Sequence, residues 1–181
     1  MRIIGGKYKG RRFQPPAKLS LRPTTDFAKE SLFNILTNRL DWEQCTCLDL
    51  FSGTGSLTYE CLSRGAAGAW AVEKNRASVN FIRKTLTDLN ENATVIQEDV
   101  LRFLKKPGRE FDLVLADPPY DLPELAELPE LVLNQGWVGA DGLFVLEHGA
   151  DHSFSDVPEF LEMRKYGSVN FSIFSARSNM T

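Results

Sequence analysis

The chain has 181 residues, with 21 Lys and Arg against 24 Asp and Glu and a formal net charge of −3 at pH 7. Hydrophobic residues make up 43% and charged residues 25%, an ordinary globular composition that excludes a disordered chain, a coiled coil and a collagen-like repeat. No window approaches the roughly 18 uncharged apolar residues of a membrane span. The basic, glycine-rich opening does not read as a secretory signal. Three cysteines, Cys45, Cys47 and Cys61, suit a reducing cytoplasm better than a disulfide framework.

The mean charge hides an asymmetry. Residues 1–40 sum to +7 and residues 41–181 to −10. Attraction to a polyanion acts locally, over about 10 Å at moderate salt, so a segregated basic segment can bind nucleic acid on an acidic protein. The plainer alternative is a solvated basic tail.

The elements are expected in this order. Gly5-Gly6 suits a two-residue hairpin turn, after which Lys7, Lys9 and Arg11 share one strand face as a positive stripe. Pro15-Pro16 and Arg22-Pro23 break the segment. Thr25 or Asp26 caps a helix running to about Leu40. Strands follow at 46–51, 69–72, 94–97, 111–116 and 143–147, alternating with helices at 56–64, 76–89, 100–105 and 123–134. Segments 162–166 and 169–174 close the chain as a hairpin that suggests an antiparallel edge. This order predicts one α/β domain over 1–181, a mostly parallel sheet with helices on both faces.

Leu48-Asp49-Leu50-Phe51-Ser52-Gly53-Thr54-Gly55-Ser56 joins a strand to a helix, and its glycines allow close backbone approach to a ligand. Glu73 lies twenty residues after Gly53, at the end of the next strand, where an acid can accept from ribose hydroxyls. Thr58 stands where a dinucleotide fold wants a third glycine, which weakens a nicotinamide oxidoreductase reading, and no phosphate loop occurs. A ligand with ribose but no pyrophosphate fits better, namely S-adenosylmethionine. Asp99 either accepts from the adenine amine or caps a helix; the two roles are compatible.

Asp117-Pro118-Pro119-Tyr120 follows an apolar strand, and open α/β sheets bind ligands beyond the carboxyl ends of their strands. An exocyclic amine on a base is a poor nucleophile because its lone pair is delocalised. Acceptors aimed at its two hydrogens free that pair. Asp117 supplies a carboxylate, Pro118 a carbonyl with a backbone fixed together with Pro119, and Tyr120 a ring on which the base stacks. An ordinary turn is the competing reading. His148 and His152, four apart, read as surface-loop residues rather than a metal pair, and no metal site is expected. Cys45 and Cys47 read as core thiols.

With these motifs in place, the chain resembles the amino-directed S-adenosylmethionine methyltransferases, most closely the bacterial 16S ribosomal RNA guanine-N2 methyltransferase family often called RsmD. The resemblance rests on residues 2–11, on Arg22-Pro23-Thr24-Thr25-Asp26 followed by Glu30-Ser31-Leu32-Phe33-Asn34, on Asp49–Gly55, on Glu73 and on Asp117–Tyr120. It implies a Rossmann-like fold of seven strands with one antiparallel. It implies Arg22 and Thr24 near the methionine end of the cofactor, with Asp49, Phe51, Gly53, Gly55, Glu73, Asp99 and Asp117 completing the cofactor site. It implies a basic N-terminal hairpin, within residues 1–22, that grips RNA through Lys7, Lys9, Arg11 and Arg12. The implied partner is 16S ribosomal RNA, within small-subunit particles, and nothing demands more than a monomer. Asn75 and Leu146-Glu147-His148 depart from the family pattern, and neither is expected to touch the chemistry. The alternatives are a DNA adenine-N6 methyltransferase, disfavoured by the lack of an evident target-recognition domain, and a non-catalytic RNA-binding or assembly protein on the same fold.

Overall fold

The computed structural model describes residues 1–19 and 24–176. Seven strands form one sheet in the order β3-β2-β1-β4-β5-β7-β6: β1 Thr46–Leu50, β2 Gly68–Glu73, β3 Thr94–Gln97, β4 Phe111–Ala116, β5 Val138–His148, β6 Phe160–Tyr166 and β7 Val169–Ser175. Neighbouring pairs from β3 to β5 are parallel, and β7 runs antiparallel to both of its neighbours, β5 and β6. The antiparallel strand is therefore second from the edge, not at it, because the tight turn at Gly167 folds β7 back between β5 and β6. The helices are α1 Asp26–Thr37, α2 Ser56–Ser63, α3 Arg76–Leu89, α4 Val100–Leu104 and α5 Leu128–Asn134. None is long and apolar enough to cross a membrane among the described residues.

Strand alternation sorts the core into two layers. Cys47, Leu113, Leu115, Leu143 and Val145 pack with α1, α2 and α3 on one face. Leu48, Leu50, Val114, Ala116, Phe144 and Leu146 pack with α4 and α5 on the other. This two-sided burial explains why the central strands read as near-continuous apolar runs. Cys45 and Cys47 are buried with their sulfurs 3.7 Å apart, and Cys61 is also buried; all three are free thiols in the first layer.

Two expected element bounds need correction. The helix expected over 123–134 is a 3-10 turn at Leu125–Glu127 followed by α5, because Pro129 has no N–H and fits only the first helical turn. β5 begins five residues earlier than its apolar pattern suggests; a register shift opposite Phe111 and Leu113 breaks the alternation there.

The N-terminal segment forms no strand ladder. Arg2 and Arg12 make an isolated antiparallel bridge, with Ile3 N–H donating to the Arg11 carbonyl at 3.0 Å and Gly10 N–H to Ile3 at 2.8 Å. Between them Gly6–Tyr8 is a 3-10 turn, so Lys7, Lys9 and Arg11 do not share a strand face. The backbone is bonded to α2 instead. Ile4 N–H donates to Glu60 Oε1 at 2.6 Å, Tyr8 N–H to Ser63 Oγ at 2.9 Å, and Ser63 Oγ to the Gly5 carbonyl at 2.5 Å. Gly6, at φ +74°, lies so close to the Ser63 carbonyl that any Cβ would collide with it.

Candidate functional site

The site lies beyond the carboxyl ends of β1, β2, β4 and β5. The loop after β1 turns sharply. Phe51 has φ +58°, a left-handed conformation unusual outside glycine, and Gly53 and Gly55 follow at +55° and +85°. A Cβ on Gly55 would stand 2.6 Å from the Tyr59 ring carbon and hydroxyl. That hydroxyl donates to the Thr54 carbonyl at 2.7 Å, so Tyr59 fixes the loop from beneath.

Glu73, half-buried at the end of β2, accepts from Gly53 N–H at 2.9 Å on Oε2 and from Asn75 N–H at 2.8 Å on Oε1. It thus braces the glycine loop as well as bordering it. A carboxylate has about four lone-pair positions, so each oxygen retains capacity for a hydroxyl donor. Asp99 caps α4, accepting from Arg102 N–H at 3.1 Å. Asp49 is buried beneath the loop and takes both the Thr58 N–H at 3.0 Å and the Thr58 hydroxyl at 2.6 Å on Oδ2. Burial pushes its carboxyl up to about 7 against the help of those two bonds.

Asp117 directly follows β4. Its N–H reaches the carbonyl of Leu50, the residue before the glycine loop, at 3.4 Å. The tetrapeptide and the loop therefore border the same space. Pro118 is buried, Pro119 exposed and Tyr120 half-buried. The Tyr120 hydroxyl donates to Glu147 Oε1 at 2.8 Å. The Thr24 hydroxyl lies 2.6 Å from Glu147 Oε2 and 3.4 Å from Asp117 Oδ2; its one proton favours the nearer acid. Burial holds the Asp117 carboxyl well above the usual carboxylate range. The negative charges of Glu147 and Asp49 add to the rise, and the Thr24 hydroxyl opposes it.

Glu147 corrects the sequence reading, which placed it away from the chemistry. β4 and β5 pair with Ala116 opposite Leu146, so Asp117 and Glu147 are the next residues on neighbouring strands. Ala116 and Leu146 both face the α4 and α5 layer, so alternation turns the next pair to the opposite face, where Asp49 also lies. In the sequence Glu147 is only an acid near the end of an apolar strand; the sheet order that sets this strand beside β4 gives it its place. His148, expected in a surface loop, is the buried last residue of β5; its ring nitrogens bond Gly149 O and Ser172 Oγ, each at 2.8 Å.

The basic segment is partly committed to internal pairs. Arg2 pairs with Asp26 at 3.0 Å and Lys7 with Glu91 at 2.5 Å. Lys29, which contributes to the +7, is buried. Lys9, Arg11 and Arg12 are exposed. Thr24 joins the site, whereas Arg22 lies outside the described residues. Among the described residues no group of three His, Cys, Asp or Glu side chains is arranged to hold a metal ion.

Comparison with known proteins places this arrangement in context. Residues 1–175 match the family model described as conserved hypothetical protein 95. Over 159 residues the chain is 38% identical to ribosomal RNA small subunit methyltransferase D of Escherichia coli (strain K12), covering 87% of this chain and 79% of that protein. The solved structure of yhhF from Escherichia coli superposes with a TM-score of 0.86 at 33% identity, covering 99% of both chains. The fold alone is shared with the Thermus thermophilus 16S rRNA N2 G1207 methyltransferase RsmC, solved with AdoMet and guanosine. That likeness has a TM-score of 0.67 at 24% identity and covers 86% of this chain and 44% of the other.

Proposed function

The chain belongs to the conserved hypothetical protein 95 family, the RsmD family, and from that premise we propose that it methylates an exocyclic amine in ribosomal RNA, N2 of a guanine in 16S RNA. The observation that carries the reading is the position of Asp117, bonded through its backbone to the residue that opens the glycine loop. S-adenosylmethionine, when bound, supplies a methyl group made electrophilic by a positively charged sulfur. The residues present fit it. The left-handed turn from Phe51 to Gly55 leaves no side chain at Gly53 and Gly55 to bar close approach, and Glu73 is poised for ribose hydroxyls. Asp99 serves the adenine amine with the carboxylate capacity its helix cap leaves over, and Thr24 and Arg22 complete the methionine end.

The target amine is held flat against the Tyr120 ring, a contact worth about 1–3 kcal/mol for a base. Its two hydrogens point to the Asp117 carboxylate and the Pro118 carbonyl, which draws the nitrogen toward tetrahedral geometry. Positioning supplies most of the rate gain. The amine finishes the reaction one proton poorer, and Asp117 is the acceptor beside it. Exposed Lys9, Arg11 and Arg12, with Lys7, contact RNA phosphates from the N-terminal segment. The RsmD names of relatives support the RNA substrate, and the guanosine bound by RsmC, which shares the fold, supports guanine N2.

The test supplies S-adenosylmethionine with a labelled methyl group to small ribosomal subunits, naked ribosomal RNA and DNA, then identifies the labelled nucleoside. Label in N2-methylguanosine from small-subunit RNA is expected. Label in DNA or in adenosine, or none, overturns the reading. Asp117→Ala should collapse single-turnover transfer while calorimetry finds little change in cofactor affinity.

A further inference from the structure

We propose that Glu147 is a positioning residue for this methyl transfer, a buried carboxylate that locks the Tyr120 ring and the Thr24 hydroxyl beside Asp117. The proposal rests on the reading of Asp117 as the amine acceptor. It adds a part that neither the glycine loop nor the tetrapeptide contains.

The geometry has three components. The side chain sits on β5, the strand next to the one that delivers Asp117, and the whole residue is 5% exposed. Its two oxygens are used separately, Oε1 for Tyr120 at 2.8 Å and Oε2 for Thr24 at 2.6 Å. These donors come from segments far apart in the chain, one from the end of the tetrapeptide and one from the residue before the α1 cap. Finally, Gly149 leaves room for the ring: a Cβ there would come within 3.2 Å of Tyr120 Cδ2. A ring clamped at its hydroxyl and backed by Gly149 loses little freedom when a base stacks on it, so the stacking face is formed before substrate arrives.

The Thr24 hydroxyl, held 2.6 Å from Glu147 Oε2, lies 3.4 Å from Asp117 Oδ2, so the Glu147 side chain fixes two of the groups around the amine acceptor.

The test measures single-turnover methyl transfer to small ribosomal subunits, and the Tyr120 ring resonances by NMR, in the wild-type protein, Glu147→Gln, Tyr120→Phe and the double variant. Transfer by Glu147→Gln should fall on the order of 10²-fold, as a small misplacement of reacting groups produces. The losses from Glu147→Gln and Tyr120→Phe should overlap in the double variant, because both break the same contact. An unchanged rate, or losses that multiply, overturns the proposal. A merely structural Glu147 would lower the melting temperature and leave the losses multiplying. If Glu147→Gln does not fold, Tyr120→Phe removes the bond from its other end, and an unimpaired Tyr120→Phe overturns the proposal. Should the wild-type protein transfer no methyl to RNA, the reading of the reaction fails, and the Tyr120 ring still judges the clamp: its resonances should shift in Glu147→Gln, and unshifted resonances overturn it.

Discussion

Lys29 and Glu60 meet 3.2 Å apart with side chains 2% and 0% exposed. The Lys29 ammonium also donates to the Arg2 carbonyl at 2.6 Å and to Ser56 Oγ at 3.0 Å. Glu60 takes the Ile4 N–H and pairs with Arg64 one turn later. Burial lowers the Lys29 pKa, and the Glu60 charge opposes the fall. One ion pair thus ties three things together: α1, the first turn of α2 beside the glycine loop, and the N-terminal segment.

Breaking such a pair from one side strands a buried charge, which typically costs about 3–5 kcal/mol. Arg64 still faces Glu60, so Lys29→Met should fall at the lower end of that range in urea unfolding. The Ile4 amide should exchange with solvent faster in the variant, because its acceptor is no longer held. An unchanged urea midpoint would show that the pair contributes no net stability.

Gly55→Ala tests the loop. The substitution forces a side chain into φ +85° and against Tyr59. Left-handed strain in a non-glycine residue costs roughly 1–3 kcal/mol, and the clash adds to it. The melting temperature should drop, and S-adenosylmethionine should raise it less than in the wild-type protein. An equal ligand-induced rise would separate the loop from cofactor binding.

Legibility in the sequence followed periodicity and local chemistry. α3 and the strands β3 and β4 are bounded as their patterns predict, since each is uninterrupted by glycine or proline. Thr25 caps α1 by accepting from Ala28 N–H, a signal written in three residues. The glycine loop, Glu73 and the tetrapeptide were readable because each sits at a strand end. Glu147 was not, since its importance comes from the register of β5 against β4, which no local pattern encodes. The burial of Lys29 is hidden in the sequence for a related reason. Its position looks like one more charge in a basic segment, and only the packing of α1 on α2 turns it inward. The N-terminal turn escaped because its backbone partners, Glu60 and Ser63, lie more than fifty residues away.

The basic segment should show unequal contributions to RNA binding. Lys7 is paired with Glu91, and Arg11 lies over the Tyr8 and Phe13 rings. Lys9 and Arg12 are exposed, with no such pairing described. Each phosphate contact contributes about 0.7–0.9 to the slope of log affinity against log salt. Lys9→Ala with Arg12→Ala should therefore flatten that slope by between one and two. Lys7→Ala should change it less, because Glu91 already neutralises part of its charge. A slope unaltered by all three substitutions would remove this segment from the RNA interface.

Asp49 makes stability depend on pH in a direction opposite to the usual paired carboxylate. Its carboxyl titrates at about 7 when folded, against an ordinary value of 3.8. Between those two values the folded protein holds a proton that the unfolded chain has released. Stability contributed by Asp49 is therefore present below about pH 4 and is lost as pH rises to about 7. Each pH unit inside the window costs up to about 1.4 kcal/mol, an upper bound that water penetration reduces. Asp49→Asn keeps an oxygen for the Thr58 N–H and hydroxyl but carries no charge to bury. The variant should match the wild-type protein near pH 4 and exceed it at pH 8, by on the order of a few kcal/mol at most. Urea midpoints measured at intervals from pH 4 to pH 8 decide the matter. Parallel curves for the two proteins would mean that Asp49 is ionised throughout the range, with Thr58 alone compensating its burial.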